Sequence, residues 1–299
     1  MGLFKDFDKV SHQDWIDKIN TDLKGKDYQQ TLVWKSEEGI DVQPFYNERD
    51  KDLNTPLKST NKWKIRETID IENIEIANQN ALLALKGGAN SILFIGDINS
   101  QSEMDILLNG IQTDIIEIHF YNSNPNLTSN FITVSKGSIS YDSFNNIEGL
   151  AELTKSTDKF RTVTVKSNGN KSIINELAHS LSKGVEHLNL LTDKGIDAKL
   201  IASKMQFSFS IGTNYFFEIA KLRAARKLWQ LILEQYKIQD IAMLIHSETS
   251  IENSSTEDEN FDILRNTTKA MSAVIGGCDS LTVRPHDIDE LSFSNRIAR

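Results

Sequence analysis

Cysteine is almost absent from this sequence. Cys278 is the single cysteine among 299 residues, so no disulfide can form within the chain. The disulfide framework that stabilises many small secreted domains is therefore excluded, and we expect a reducing compartment, the cytoplasm. Free cysteines are among the most buried residue types, so Cys278 is predicted to be a small core residue rather than a nucleophile.

Long apolar runs and an excess of positive charge are also lacking. The apolar stretches at 91–96 and 115–121 are far shorter than the roughly 20 residues that span a bilayer. The N-terminus has neither the cationic start nor the apolar run of a signal peptide. Lysine and arginine number 33 against 42 acidic residues, which gives a formal net charge of -9. We therefore expect neither a membrane nor a nucleic acid as partner, because binding phosphates requires clustered basic residues.

Motifs for metal or phosphate binding are missing as well. The six histidines form no HxH or HxxxH pair. His179 and His187 lie two turns apart on a predicted helix, which is too far for them to share a metal. Residues 166–171 contain a glycine between two lysines but lack P-loop and GxGxxG spacing, so they are interpreted as a turn. The sequence predicts no metal site.

The first sixty residues differ in texture from the rest. Residues 1–60 are polar, with apolar anchors such as Trp15 and Trp34 spread along them. Ser11 is predicted to cap a short helix, helped by Asp14 three residues later. A segment with large aromatic side chains and little periodicity usually packs on something else. Residues 1–60 are therefore predicted to be an extended N-terminal arm that packs on the barrel or on a partner subunit.

From residue 61 onward, helix and strand patterns alternate. Such alternation is typical of βα units and a parallel sheet. Residues 122–148 are rich in asparagine and serine, with short β-like pieces at 131–134 and 138–141, and are interpreted as a loop-rich insertion. The predicted strands lie at 91–96, 114–121, 160–165, 205–211, 242–247 and 280–283. The predicted helices lie at 71–87, 102–108, 175–194, 214–235 and 262–275.

The pattern over residues 61–299 predicts an α/β fold, a (β/α)8 TIM-type barrel. Such a barrel typically uses about 250 residues, slightly more than this segment offers. The last strand pattern also falls close to residue 299. We therefore expect the barrel to be incomplete at the C-terminus, with two unpaired edge strands.

Four residues are candidates for function on position alone. His246 ends a predicted strand, where barrel enzymes place their chemistry, and it either lines a pocket or is structural. Arg223 and Arg226 lie on the predicted helix 214–235, where they form either an anion site or a solvated charged face. Their spacing favours the solvated face. His119 falls within a strand pattern and is interpreted as a core or rim residue.

Several separate segments resemble, in the right order, the methylmalonyl-CoA mutase family. The similarity covers most of 12–95 and 174–299, whereas 97–160 match poorly. It implies a (β/α)8 barrel threaded by the coenzyme A tail, with a cobalamin-binding domain after it in the family. Catalytic members interconvert methylmalonyl-CoA and succinyl-CoA with adenosylcobalamin. The segments are WKSEEGIDVQPFY (34–46), WKIR (63–66) with Asn78, ELAHSLSKGVEHLNLLTDKGID (176–197), NYFFEIAKLRAARKLW (214–229), FDILRNTTKAMSAVIGGCDSLTVRPHD (261–287) and FSNRIAR (293–299).

The chain departs from the family's catalytic members at positions that serve their chemistry. Thr68 stands where they carry a tyrosine against the substrate, and residues 160–175 lack their histidine. Their Gly-Thr-x-Gln-Asn-Asp run and their cobalt-ligating Asp-x-His-x-x-Gly motif are absent. The resemblance therefore implies no catalytic residue here and no cobalamin-binding domain within 61–299.

Three residues match the family's substrate-binding positions in altered form. Lys204 replaces an arginine that binds coenzyme A, which keeps the charge but loses the planar fork. His246 matches a pocket histidine, but Glu248 replaces the neighbouring glutamine. The resemblance implies that Arg66, Lys204 and His246 are vestigial substrate-binding residues.

Taken together, these departures resemble the family's small, non-catalytic chains. The resemblance implies a heterodimer with a catalytic large chain, which holds the adenosylcobalamin, and a homodimer if the chain is alone. Two alternatives stay open. One is a repurposed barrel that binds coenzyme A or an acyl-CoA through Arg66, Lys204 and His246. The other is a catalytic acyl-CoA mutase half that needs a separate cobalamin-binding chain.

Overall fold

The chain divides into two compact units, residues 1–54 and 55–299, and each is considered by itself. The computed structural model describes residues 10–46, 62–121, 136–140, 147–157, 160–167, 169, 172–251 and 259–285.

The first unit consists of two short helices and a small hairpin. Its elements are α1 (His12–Leu23), α2 (Tyr28–Leu32), β1 (Trp34–Lys35) and β2 (Asp41–Val42), the two strands being antiparallel. Ser11 caps α1 as predicted. Its hydroxyl accepts a hydrogen bond from the Asp14 amide at 3.1 Å, while the Asp14 carboxylate accepts one from the Ser11 amide at 2.8 Å.

This first unit has almost no core. Within 10–46, Val33 alone is buried. Trp15 and Phe45 pack their rings at 5.1 Å between centroids, but Phe45 is still 46% exposed. A unit that buries so little apolar surface gains little free energy from its own packing. The other exposed apolar side chains here are Val10, Trp34, Ile40 and Tyr46.

The second unit is built on one parallel sheet. The strands follow the order β7-β6-β5-β4-β3-β11-β10-β9-β8, and every neighbouring pair is parallel. The two ends of that order, β7 and β8, are consecutive pieces of chain separated by Thr162, so the sheet nearly closes into a ring. The predicted TIM-type α/β barrel is confirmed. The strands are β3 (Lys64–Asp70), β4 (Ser91–Ile95), β5 (Glu117–Tyr121), β6 (Gly137–Ser140), β7 (Phe160–Arg161), β8 (Val163–Lys166), β9 (Met205–Ile211), β10 (Ile245–Thr249) and β11 (Ser280–Thr282).

Helices follow most of these strands. They are α3 (Ile74–Lys86), α4 (Gln101–Leu107), α5 (Ile147–Ser156), α6 (Ile173–Asp193), α7 (Ala198–Ser203), α8 (Tyr215–Gln235) and α9 (Glu259–Gly276). No described helix follows β11, and residues 286–299 lie outside the described part of the chain. The barrel is therefore incomplete in its outer layer over the described residues. None of the described helices is long and apolar enough to cross a bilayer.

The last strand does not leave the open edges that the sequence led us to expect. β11 pairs with β10 on one side, where His246 is opposite Ser280, and with β3 on the other, where Ser280 is opposite Lys64. The expectation of two unpaired strands at this point was wrong. The last strand pattern was assigned correctly, but strand order cannot be deduced from periodicity alone.

Strand alternation separates an apolar outer face from a polar interior. In β9, Phe207 and Phe209 belong to the hydrophobic core, and Phe207 meets Trp229 of α8 edge-on at 4.8 Å. Gln206 lies between Met205 and Phe207. Its side chain instead donates a hydrogen bond to Ser138 of β6 across the interior. Cys278 is 2% exposed within the core, so its predicted packing role is confirmed.

One barrel strand lies in a region interpreted from sequence as a loop-rich insertion. Gly137–Ser140 forms β6, and α5 begins at Ile147. The β-like piece noted at 138–141 thus overlaps a barrel strand, and its interpretation as part of an insertion was wrong. A Cβ on Gly137 would lie 1.6 Å from the Ile118 carbonyl oxygen, so glycine is needed for β6 to approach β5. The β-like piece noted at 131–134 falls outside the described residues.

Candidate functional site

A chain of hydrogen-bonded polar side chains crosses the barrel interior. TIM barrels usually fill this space with layers of bulky branched residues. Here the space holds what we name the interior polar chain: Ser91, Arg66, His119, Ser138, Gln206 and Thr164. Arg66, His119, Ser138 and Gln206 are each at most 4% exposed.

The links of this chain are short. Arg66 Nη2 lies 2.9 Å from His119 Nε2, and His119 Nδ1 lies 2.7 Å from Ser138 Oγ. Gln206 Nε2 donates to Ser138 Oγ at 2.6 Å and to Thr164 Oγ1 at 2.8 Å. Ser138 and Gln206 belong to strands that are not neighbours in the sheet. The chain therefore spans the interior rather than following one strand pair.

The geometry fixes the protonation of His119. A guanidinium only donates hydrogen bonds, so Nε2 must accept from Arg66. Nδ1 then carries the proton and donates it to Ser138 Oγ. Burial, reinforced by the charge of Arg66, lowers the pKa of His119 well below 6.5. His119 is therefore a neutral imidazole with both nitrogens engaged.

His246 lies in the same electrostatic environment. Its Nδ1 is 2.9 Å from Ser280 Oγ. Burial, and next the charge of Arg66, lower the pKa of His246 well below its ordinary value. Burial also lowers the pKa of Arg66 to about 9, with Glu117 opposing the shift. At neutral pH the cation of Arg66 thus lies beside two uncharged imidazoles.

Because His119 and His246 are buried as neutral imidazoles, we expect the free energy of unfolding to fall at acidic pH. Their folded-state pKa values lie below the unfolded value of about 6.5, so the unfolded chain binds protons more readily. The stabilisation is complete above pH 6.5 and declines below it, toward the lowered folded-state pKa values, by at most about 1.4 kcal/mol per pH unit for each imidazole. We expect His119→Gln to remove part of this slope and His119→Gln with His246→Gln to remove more. Urea unfolding at a series of pH values measures it; an unchanged slope in the double variant would contradict the assignment.

A second buried cluster lies at the carboxyl ends of β8 and β9. Lys221 Nζ lies 2.8 Å from Glu176 Oε2, 2.6 Å from Glu218 Oε2 and 2.6 Å from the Ser210 carbonyl oxygen. We call Lys221, Glu176 and Glu218 the ion triad; their side chains are at most 5% exposed. Burial raises the pKa of Glu218, with Lys221 opposing it. The ammonium group of Lys221 is thus fully occupied by contacts within the protein.

Arg226 does not lie on a solvated helix face. It is 6% exposed, and its guanidinium donates to the carbonyl oxygens of Met243 and Gly277 and to Asp279 Oδ2, the last at 2.8 Å. The predicted solvated face was wrong for this residue, because spacing does not show which carbonyl oxygens a helix will approach. Arg223 is exposed and donates to the Ile275 carbonyl oxygen at 3.3 Å.

The three residues predicted to bind substrate do not form one cluster by their described contacts. Arg66 and His246 are both buried in the barrel, and the charge of Arg66 contributes to the lowered pKa of His246. Lys204 precedes β9 and its Nζ donates to the Thr157 carbonyl oxygen, just beyond α5. A substrate-binding role for the three stays a prediction. Gln206 was not predicted as an interior residue, although its place between the outward-facing apolar residues Met205 and Phe207 was an available signal.

No metal centre is evident in the part of the chain that the structure describes. There, no three histidine, cysteine, aspartate or glutamate side chains come together in a group that could hold an ion.

The parallel sheet and the interior polar chain define the class of protein: a TIM-type barrel whose interior is filled by its own polar side chains. A family profile described as Methylmalonyl-CoA mutase matches residues 140–299. The methylmalonyl-CoA mutase small subunit of Porphyromonas gingivalis is 35% identical, over 99% of this chain and 57% of that protein. The methylmalonyl-CoA mutase small subunit of Streptomyces virginiae is 24% identical, over 100% of this chain and 58% of that protein. The chain belongs to the methylmalonyl-CoA mutase family, which confirms the resemblance seen in the sequence.

The chain spans a little over half the length of these two relatives. Among solved structures, dihydropteroate synthase from Stenotrophomonas maltophilia aligns with a TM-score of 0.50 and 10% identity, over 79% of this chain and 91% of that one. This likeness shows the barrel fold alone.

Proposed function

We propose that this chain is the small, non-catalytic subunit of an adenosylcobalamin-dependent methylmalonyl-CoA mutase. The observation that carries the proposal is the interior polar chain, in which Arg66, His119 and Ser138 are hydrogen-bonded to one another. The names of the relatives, methylmalonyl-CoA mutase small subunit, support it. The enzyme as a whole would interconvert methylmalonyl-CoA and succinyl-CoA, with this chain inactive alone.

The interior groups are poorly placed for acid–base chemistry. A general acid or base needs a nitrogen or oxygen within hydrogen-bond reach of the substrate. His119 has one nitrogen on Arg66 and the other on Ser138, so neither is available without breaking a buried bond. Thr68, on β3, offers no phenol. Arg66, His119 and Ser138 therefore stabilise the barrel and do not present reactive groups to a substrate.

The same reasoning applies to the cofactor. Adenosylcobalamin held through an imidazole would need a histidine nitrogen without another partner, and both nitrogens of His119 are engaged by Arg66 and Ser138. Within the described residues, His246 Nδ1 is likewise directed at Ser280. His119 therefore does not fit the group, and we assign adenosylcobalamin to the catalytic large subunit.

The N-terminal unit supplies the argument for a partner. Trp34, Phe45 and Tyr46 are each about half exposed, and among residues 10–46 of this unit, which the structure describes, one is buried. Large aromatic side chains are enriched in the centres of protein interfaces, and obligate interfaces are large and apolar. We propose that residues 1–60 form an arm that packs on the large subunit. A cytoplasmic location fits a sequence whose single cysteine, Cys278, is buried.

Co-expression with a catalytic large subunit of this family tests the proposal. We expect one stable complex of one chain each, because the large subunit would bury the exposed aromatic side chains of the arm. Mass measurement of the complex after gel filtration reports the composition, and an unrelated barrel protein of similar acidity is the control. Separate elution of the two chains at micromolar concentration would contradict the proposal.

One observation favours a second candidate, a repurposed barrel that binds coenzyme A. Gln206 Oε1 is buried and has no hydrogen-bond partner in the structure as described. An unpaired buried acceptor costs free energy, and a donor from a ligand would relieve it. Calorimetry of the isolated chain with coenzyme A separates the candidates. Tight binding, lost in Arg66→Met, would favour the repurposed barrel.

A further inference from the structure

The outward side of α9 carries an apolar stripe. Its four large side chains are each between 47% and 61% exposed, although a helix on the outside of a soluble protein usually turns polar residues to solvent. We call this the outer stripe, and it consists of Phe261, Leu264, Thr268, Met271 and Ile275. The buried side of the same helix holds polar residues, namely Asp262, Lys269 and Ser272. The usual distribution of polar and apolar residues is thus partly reversed in α9.

The outer stripe has the spacing of a seam between two helices. Its members follow one another at intervals of three, four, three and four residues. This is the a and d pattern of a heptad repeat, which lets two helices pack side by side over several turns. The spacing therefore favours another helix as the group that covers the stripe.

The stripe is also complementary to itself. Thr268 lies midway between Phe261 and Ile275, and almost midway between Leu264 and Met271. A two-fold axis at Thr268 would set Phe261 against Ile275 of a second copy, and Leu264 against Met271 of that copy. Each residue would then meet its counterpart in both directions, as an isologous interface requires.

The polar groups at the centre of the stripe already have partners. Thr268 Oγ1 donates a hydrogen bond to the Arg265 carbonyl oxygen at 2.9 Å. The neighbouring Thr267 Oγ1 donates to the Ile263 carbonyl oxygen at 2.8 Å. Because both hydroxyl protons have acceptors within the helix, covering them leaves no donor unpaired.

Charge favours this face for contact between two copies. The chain has a formal net charge of -9, so two copies repel each other wherever acidic surfaces meet. None of the five members of the outer stripe is charged. Arg265, which flanks the stripe, is paired with Asp262 of its own helix at 2.9 Å. Two acidic copies can therefore approach through α9 without bringing like charges together in the seam.

We propose that the outer stripe is the contact surface between two copies of this chain, with their α9 helices antiparallel about a two-fold axis at Thr268. The four half-exposed side chains offer roughly 400 Å² per copy, against about 800 Å² per partner in a standard interface. We therefore expect a weak dimer. The inference rests on α9 and does not depend on the proposed subunit role.

Opposite charges placed at the axis test this. Thr268→Lys sets two cations face to face in the dimer and Thr268→Glu sets two anions, whereas an equimolar mixture of the variants pairs one of each. Ile76→Lys is the control, because Ile76 is 57% exposed on a different helix, α3. Sedimentation velocity of the full chain at increasing concentration measures the dissociation constant, and circular dichroism checks that each variant is folded.

We expect the unaltered chain and the control to dimerise in the micromolar range. Each Thr268 variant alone should dimerise about ten-fold more weakly or worse, and the mixture should recover the dimer. An unaltered chain that stays monomeric at hundreds of micromolar would overturn the proposal. So would Thr268 variants that dimerise as before, which would place the contact elsewhere, and so would a mixture that fails to recover the dimer, which would exclude an axis at Thr268.

Discussion

Replacing Lys221 by methionine is expected to lower the free energy of unfolding by about 3–5 kcal/mol. The change removes the cation between Glu176 and Glu218, whose side chains are at most 5% exposed. Two carboxylates would then remain buried side by side, and the Ser210 carbonyl oxygen would lose its donor. Urea unfolding at neutral pH measures the loss.

Lys199→Met is the matched control, because Lys199 is exposed on α7 and the same atoms are changed. We expect its effect to stay within about 0.5 kcal/mol. Equal effects of the two substitutions would show that the ion triad does not bear on stability. The triad lies at the carboxyl ends of the strands, where barrel enzymes place catalytic groups. A large loss in the free energy of unfolding would therefore show that the ion triad, at this end of the barrel, has a structural role.

Replacing Trp34 and Phe45 by serine together is expected to weaken the proposed heterodimer by about 100-fold or more, the loss typical of interface hot spots. Both side chains are about half exposed, and the unit that holds them has little core to lose. The stability of the barrel should therefore change little. Titration of the labelled large subunit with each variant measures the dissociation constant.

Lys35→Ser is the control for this experiment. Lys35 is the exposed neighbour of Trp34 in β1, so it tests whether any change in the strand has the same effect. We expect its dissociation constant to stay near that of the unaltered chain. A complex that tolerates the double serine variant would show that the arm does not hold the partner.

The barrel could be predicted from the sequence wherever apolar residues alternate strongly. β9 was predicted with the bounds that the structure shows, because Phe207 and Phe209 alternate with polar neighbours. β6 was noted only as a β-like piece within an insertion, since Gly137 and Ser138 carry no apolar signal and the strand depends on glycine for its approach to β5. Short polar strands are specified by their neighbours more than by their own residues.

The candidate site was predictable only in part, because its contacts join distant parts of the chain. Arg66 and His246 were found through the family resemblance. The bond from Arg66 to His119 joins residues 53 positions apart, and the bond from Gln206 to Ser138 joins residues 68 apart. Both depend on strand register, which one sequence does not fix. The burial of Arg226 escaped prediction for the same reason.

Turnover by the purified chain tests the central claim most directly. The chain, supplied with adenosylcobalamin and methylmalonyl-CoA, is expected to form no succinyl-CoA beyond a sample without protein, whereas the same assay with an added catalytic large subunit should show turnover. Formation of succinyl-CoA by the chain alone would contradict the claim that its interior side chains are committed to one another.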